Sequence, residues 1–153
     1  MKNLSIKEPD REETPFGHIA LAFSGGGSRA SSFGLGVLSY LPQLQQENQT
    51  SLLENVTFIS SASGGTIANA MYAQNSVAGK PFGEFYKNLF ENMQGTVLLD
   101  NVFKILNEDS VWENRPDKKR NLINAFALAY DSILFKGSLL GKLYSSDSPS
   151  HLE

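Results

Sequence analysis

The sequence predicts an α/β protein with a mostly parallel sheet, and three observations predict it. Ile19-Ala20-Leu21-Ala22-Phe23 is an apolar run without alternation, which suits a strand buried on both faces. It stops at Ser24-Gly25-Gly26-Gly27 and is followed by a helical pattern. A second such run, Val56-Thr57-Phe58-Ile59-Ser60, passes through Ser61-Ala62-Ser63-Gly64-Gly65 into a helix of small residues. Strand, turn, helix, strand, turn, helix is the order of a βαβ unit.

Each element has a local reason. The first helix is expected from about Ala30, with Phe33, Val37 and Leu41 on one face. Pro42 ends it near Leu41. Polar residues from Gln43 to Ser51 make the return loop. The helix after the second strand is expected over Thr66 to Ala73. Pro81 opens a third, whose face of Phe82, Phe85, Tyr86, Leu89, Phe90 and Met93 reads as core, with Gly95 as its stop. Val97 to Leu106 is a shorter apolar helix. Asp117 is the expected cap of a further helix carrying Leu122, Phe126, Ala129, Tyr130 and Ile133 on one face. Gly137 ends it, and Ser138 opens a last short helix to Tyr144. No internal repeat occurs, and Ser145 to Ser150 is the only biased stretch.

The composition narrows the chemistry. At 153 residues, with 41% hydrophobic and 19% charged, the chain is globular and is one domain or part of one. Lys and Arg number 13 against 16 Asp and Glu, a balance that offers no field for a nucleic-acid backbone. Cysteine is absent, so disulfides, thiol catalysis and Cys-ligated metals are excluded. The two histidines, His18 and His151, are too few for a His-rich metal site. No metal or cofactor is expected. No apolar run is long enough to span a bilayer. Residues 1–17 are charged, lack the apolar core of a signal peptide and read as a disordered tail. The cytoplasm is the expected compartment.

Both glycine-rich turns follow strands, so both sit at the carboxyl edge of the sheet, where ligand sites of open α/β folds gather. Ser61-Ala62-Ser63-Gly64-Gly65 matches the nucleophile elbow G-x-S-x-G at every position but the first. The elbow needs small neighbours because its serine sits on a strained strand-to-helix turn. The plainer reading of Ser63 is a helix cap. Ser24-Gly25-Gly26-Gly27-Ser28-Arg29 leaves backbone N–H groups open to an anion. A Walker A loop fails, since no Gly-Lys-Ser/Thr follows. A dinucleotide loop fits better, as Gly25-x-Gly27-x-x-Ala30, yet the second strand ends without the acidic residue that holds a ribose. An oxyanion hole for Ser63 accounts for both turns together. No histidine suits a triad. His18 lies at the far end of the first strand, about 16 Å from the carboxyl edge, and His151 lies near the chain's end. A base for Ser63 is then most simply a carboxylate.

Phe23 to Ala30, Gly34-x-Gly36-Val37-Leu38 and Ile59 to Gly65 together resemble the patatin-like phospholipase family. The resemblance is firm over Ile19 to Ala73 and softer through Gly137. It implies a three-layer α/β/α sandwich and a lipid acyl hydrolase with a Ser–Asp dyad. It makes Ser63 the nucleophile and Gly25, Gly26, Gly27 and Gly64 the oxyanion donors. Arg29 orders the turn or meets a phosphate headgroup. The implied partners are a lipid or phospholipid substrate and, transiently, a membrane surface. Arg115, Lys118, Lys119 and Arg120 could touch anionic lipid, although a solvated helix start is the simpler reading.

This chain departs from the family at one serious point. The dyad Asp belongs to an Asp-Gly motif downstream of the elbow, and the chain has no Asp-Gly. Asp100, Asp109, Asp117, Asp131 and Asp147 are followed by Asn, Ser, Lys, Ser and Ser. With two strands and no dyad Asp, residues 18–153 read as the amino-terminal portion of an incomplete domain, inactive by itself. The rival functions are a nucleotide-binding module using Gly25–Gly27 and a non-catalytic interaction domain.

Overall fold

A computed structural model describes residues 16–46 and 49–144. Residues 1–15 of the expected tail, the serine-rich stretch 145–150, Asp147 and His151 lie outside the described residues. In chain order the elements are β1 (Ile19–Phe23), α1 (Gly27–Tyr40), β2 (Val56–Ser61), α2 (Gly64–Val77), α3 (Phe82–Asn92), α4 (Gly95–Asn107), α5 (Asp109–Glu113) and α6 (Leu122–Tyr130). Short 3₁₀ turns cover Leu41–Gln43 and Leu140–Tyr144, and a π-helical turn covers Asp131–Phe135.

β1 and β2 pair in parallel and form a two-stranded sheet. The α/β class and the parallel pairing expected from sequence are therefore present. A register shift after Ile19 sets Ala20 opposite Phe58 and Phe23 opposite Ser61. The two turns at the carboxyl ends are thereby side by side. The amide of Ala62 extends the pairing by donating to the Phe23 carbonyl at 3.0 Å.

The expectation of strands buried on both faces is not met. Leu21, Phe23 and Ile59 pack into the core, whereas Ala20, Ala22, Phe58 and Ser60 are exposed. Burial on both faces requires a helical layer on each side. Among the described residues, only the core side of the sheet is covered.

The helices differ from expectation at their ends and faces. α1 starts at Gly27, because the chain turns directly from Gly26 into helix. Its buried face is Ser31, Gly34, Leu35 and Leu38, while Phe33 is 73% exposed. The small residues explain this. A Cβ on Gly34 would stand 3.2 Å from Ala68 Cβ, so α1 approaches α2 along its glycine side and Phe33 is turned outward. α2 likewise starts earlier than Thr66 and runs past Ala73.

α3 splits its aromatic stripe. Phe85, Leu89 and Met93 are buried, and Phe82 and Phe85 pack edge-on against each other and against Tyr72. Tyr86 and Phe90 stack on each other with their rings exposed, so they are not the core residues that the periodicity suggested. Pro81 is the cap residue and not the first helical residue. Gly95 is the first residue of α4 and not a stop. α5 was not anticipated; its Trp112 is buried and donates to the Ile105 carbonyl. Asp117 does not cap α6. Asn121 does, its side-chain oxygen accepting from the Asn124 amide at 2.9 Å. The buried face of α6 is Ala125, Leu128 and Ala129, leaving Leu122 exposed. The helical run ends at Lys136 and Gly137, both in positive φ, as the expected glycine stop requires.

Candidate active site

The elbow is a turn in which serine holds a glycine's place. The Gly65 amide donates to the Ala62 carbonyl at 3.0 Å, which closes a β-turn with Ser63 and Gly64 at its centre. Ser63 has φ 48° and ψ −123°. Those angles belong to the first central position of a type II′ turn, which glycine ordinarily fills. A residue with a side chain held there stores about 1–3 kcal/mol of strain.

That geometry differs from the one a capping serine adopts. A capping serine has extended backbone angles and accepts a hydrogen bond from the next turn. Ser63 has neither: its side chain makes no cap bond, and the side chain is exposed. α2 begins immediately after it, so the positive dipole end of the helix lies beside the hydroxyl.

The glycine turn lies against this elbow. A Cβ on Gly25 would stand 3.1 Å from Ser63 Cβ and 3.8 Å from its Oγ. Gly26 has φ 146° and Gly27 φ 61°, angles that side chains resist. Gly64 meets Gly27 backbone to backbone: a Cβ on Gly64 would fall 2.8 Å from the Gly27 nitrogen and 2.7 Å from its carbonyl carbon. Gly65 is nearly as tight against the Ser24 carbonyl. The structure thus brings Gly25, Gly27, Ser63 and Gly64 together, with Gly26 capping α1 between them. Arg29, exposed in the first turn of α1, lines one surface groove with Gly25 and Gly26 and a second with Tyr86 and Phe90.

Two positioning residues were not apparent from sequence. Ser31 is fully buried and its hydroxyl donates to the Gly64 carbonyl at 2.5 Å, tying α1 to the first turn of α2. Asn69 donates to the Ser61 hydroxyl at 2.9 Å and to the Ile59 carbonyl at 3.3 Å, which holds the end of β2 under the elbow. The signal for Ser31 was its spacing of three from Gly34, a pair of small residues on one helix face. Ser31→Ala is expected to lower stability by about 1 kcal/mol. Urea unfolding would show this as a lower midpoint at unchanged slope.

No carboxylate or imidazole hydrogen-bonds to Ser63 among the described residues. Its hydroxyl has no hydrogen-bond partner there, and each described aspartate is placed elsewhere. Asp109 pairs with Arg120 at 2.5 Å. Asp131 accepts from the Gly137 amide at 3.0 Å. Asp100 and Asp117 are exposed, on α4 and in the turn before α6. His18 is exposed and directly precedes β1, at the edge of the sheet opposite the elbow. Burial pushes the Tyr72 hydroxyl above its ordinary pKa, partly offset by a hydrogen bond with Ser76, and burial also raises Tyr130. Tyrosines shifted that way stay protonated near neutral pH and take no proton from a serine.

The serine turn at the end of β2 thus packs on the glycine turn at the end of β1, within one parallel α/β unit. The sequence profile described as patatin-like phospholipase matches residues 21–141, a span that includes both turns. The chain belongs to the patatin-like phospholipase family. No curated protein and no solved structure matches it. No helix among the described residues is long and apolar enough to cross a membrane.

Proposed function

We propose that this chain carries the nucleophile and oxyanion cradle of a serine lipid acyl hydrolase acting on phospholipid or acylglycerol esters. The observation that carries the reading is Ser63 itself, strained, exposed and uncapped, with the Gly25–Gly27 turn against it. In this reading Ser63 Oγ attacks the ester carbonyl carbon as its proton leaves. Amides of Gly25, Gly26, Gly27 and Gly64 hold the tetrahedral oxyanion, each contributing about 2.7–4 kcal/mol in the transition state. Collapse expels the alcohol and leaves an acyl-Ser63 ester, which water then hydrolyses. Arg29 orders the turn or meets a phosphate headgroup.

The base is a dyad aspartate that these residues lack. Residues 18–153 are then the amino-terminal portion of such a domain, and the chain alone does not turn over. The exposed sheet face and the placement of every described aspartate support this. The setting is cytoplasmic, with transient contact at a membrane surface.

The test is a p-nitrophenyl acyl ester beside a fluorophosphonate probe. Expected are ester hydrolysis at background and slow covalent labelling of Ser63. Labelling should quicken at alkaline pH, because hydroxide must take the proton that no side chain takes. Hydrolysis abolished by Ser63→Ala would instead place a base within this chain. Micromolar binding of NAD or ATP in equilibrium dialysis, with Ser63 unlabelled, would favour the nucleotide-binding reading. Absence of both labelling and nucleotide binding would favour a non-catalytic interaction domain.

A further inference from the structure

The segment after the π-helical turn combines apolar and basic residues. Lys136-Gly137-Ser138-Leu139-Leu140-Gly141-Lys142-Leu143 contains no carboxylate. Leu139 and Leu140 are 70% and 69% exposed, and Lys136 and Lys142 flank them, exposed. Among the described residues, neither lysine has an ion-pair partner. The facing half of α2, from Ala70 to Val77, carries no charge. The acids near Lys136 are Asp131, whose carboxylate accepts from the Gly137 amide, and Glu84 and Glu91 on α3, each within reach of its own lysine, Lys80 and Lys87.

The segment is held in place. Lys136 and Gly137 turn through positive φ, with the Gly137 amide bound by the Asp131 carboxylate. The Gln74 side chain on α2 donates to the Ser138 hydroxyl at 2.7 Å and reaches the Phe135 carbonyl at 3.4 Å. Beside the exposed leucines is a cavity of about 610 Å³ walled by Ala70, Val77, Ala78, Phe135 and Leu143. Two solvent-facing leucines cost free energy in water and gain it in hydrocarbon. Lysines on either side suit the negative surface of an anionic leaflet.

We infer that Lys136–Leu143 is an interfacial docking segment for an anionic lipid bilayer, with Leu139 and Leu140 inserting and Lys136 and Lys142 meeting headgroups. The choice of a lipid partner rests on the proposed lipid substrate; the surface itself does not depend on Ser63.

The experiment is co-sedimentation of the chain with vesicles of phosphatidylcholine alone or with about a third phosphatidylserine added. Binding to the anionic vesicles is expected, and it should weaken as salt rises. Lys136→Gln with Lys142→Gln should reduce that binding by about fivefold per lysine. Leu139→Glu with Leu140→Glu should reduce it by about tenfold or more. Melting curves of these variants should match the parent, because the positions are exposed. A Leu139→Trp variant should show a blue shift on binding that Trp112 in the parent does not. Ser63→Ala should bind vesicles like the parent, so failed labelling of Ser63 and failed vesicle binding are separate results. Equal binding by the parent and the double glutamate variant overturns the proposal, as does no binding to either vesicle. A dimer of the parent that the glutamates convert to monomer also overturns it and assigns the face to a second copy.

Discussion

Gly64→Ala is expected to remove most of the folded protein. The added Cβ would lie within van der Waals contact of the Gly27 carbonyl oxygen, 2.7 Å from its carbon and 2.8 Å from its nitrogen. Backbone is on both sides of the clash, so no side-chain rotation relieves it. Either α1 moves away from α2 or the elbow opens, and the first breaks the Ser31 bond to the Gly64 carbonyl. A loss of about 4–5 kcal/mol or more belongs to such sites. That is a large share of the roughly 5–15 kcal/mol that domains possess. Gly36→Ala is the matched control. A Cβ there meets nothing within 4 Å, in the exposed middle of α1. Alanine should therefore stabilise by about 0.5–1 kcal/mol. Thermal melts of the pair should move in opposite directions; equal shifts would mean that the backbone contact at Gly64 is looser than described.

Ser63→Gly should abolish fluorophosphonate labelling and raise the melting temperature. Two effects oppose each other. Glycine relieves about 1–3 kcal/mol of strain at φ 48°, ψ −123°. It also loosens the unfolded chain, which costs about 0.4–1 kcal/mol. The net is a gain of about 1 kcal/mol, or about 4 °C for a domain of this size. Ser63→Ala keeps the strain, so it should lose labelling with little change in melting. A helix-capping serine requires a different pattern: alanine would then destabilise by about 0.5–2 kcal/mol, with glycine costing only a few tenths. The pair of variants therefore separates a nucleophile held under strain from a cap.

Much of the site was legible because its signals are local. A serine between small residues after an apolar run announces an elbow, and three consecutive glycines announce a turn with open amides. Their side-by-side placement followed from reading both as strand ends in one parallel unit. Helix faces were less legible where small residues dominate. Hydrophobic periodicity chose Phe33 for the core, yet the close approach of Gly34 to Ala68 put Ser31, Gly34 and Leu38 inside. The same limit applies to α3. Tyr86 and Phe90 fit the apolar stripe by spacing, but only packing decides how wide a stripe is covered. Asp117 and Asn121 are both plausible caps by residue type, and backbone angles choose Asn121.

The sequence by itself determined the parallel α/β class, both chemical turns, the family resemblance and the lack of an Asp-Gly motif. These depend on residue type and spacing along the chain. Only the tertiary structure decided that Ser63 is strained and uncapped and that Gly64 meets Gly27 backbone to backbone. It alone showed that, among the described residues, one sheet face is open and two leucines stand in solvent between lysines. Such facts concern residues far apart in the chain, where close contact and exposure arise from packing and no local pattern encodes them.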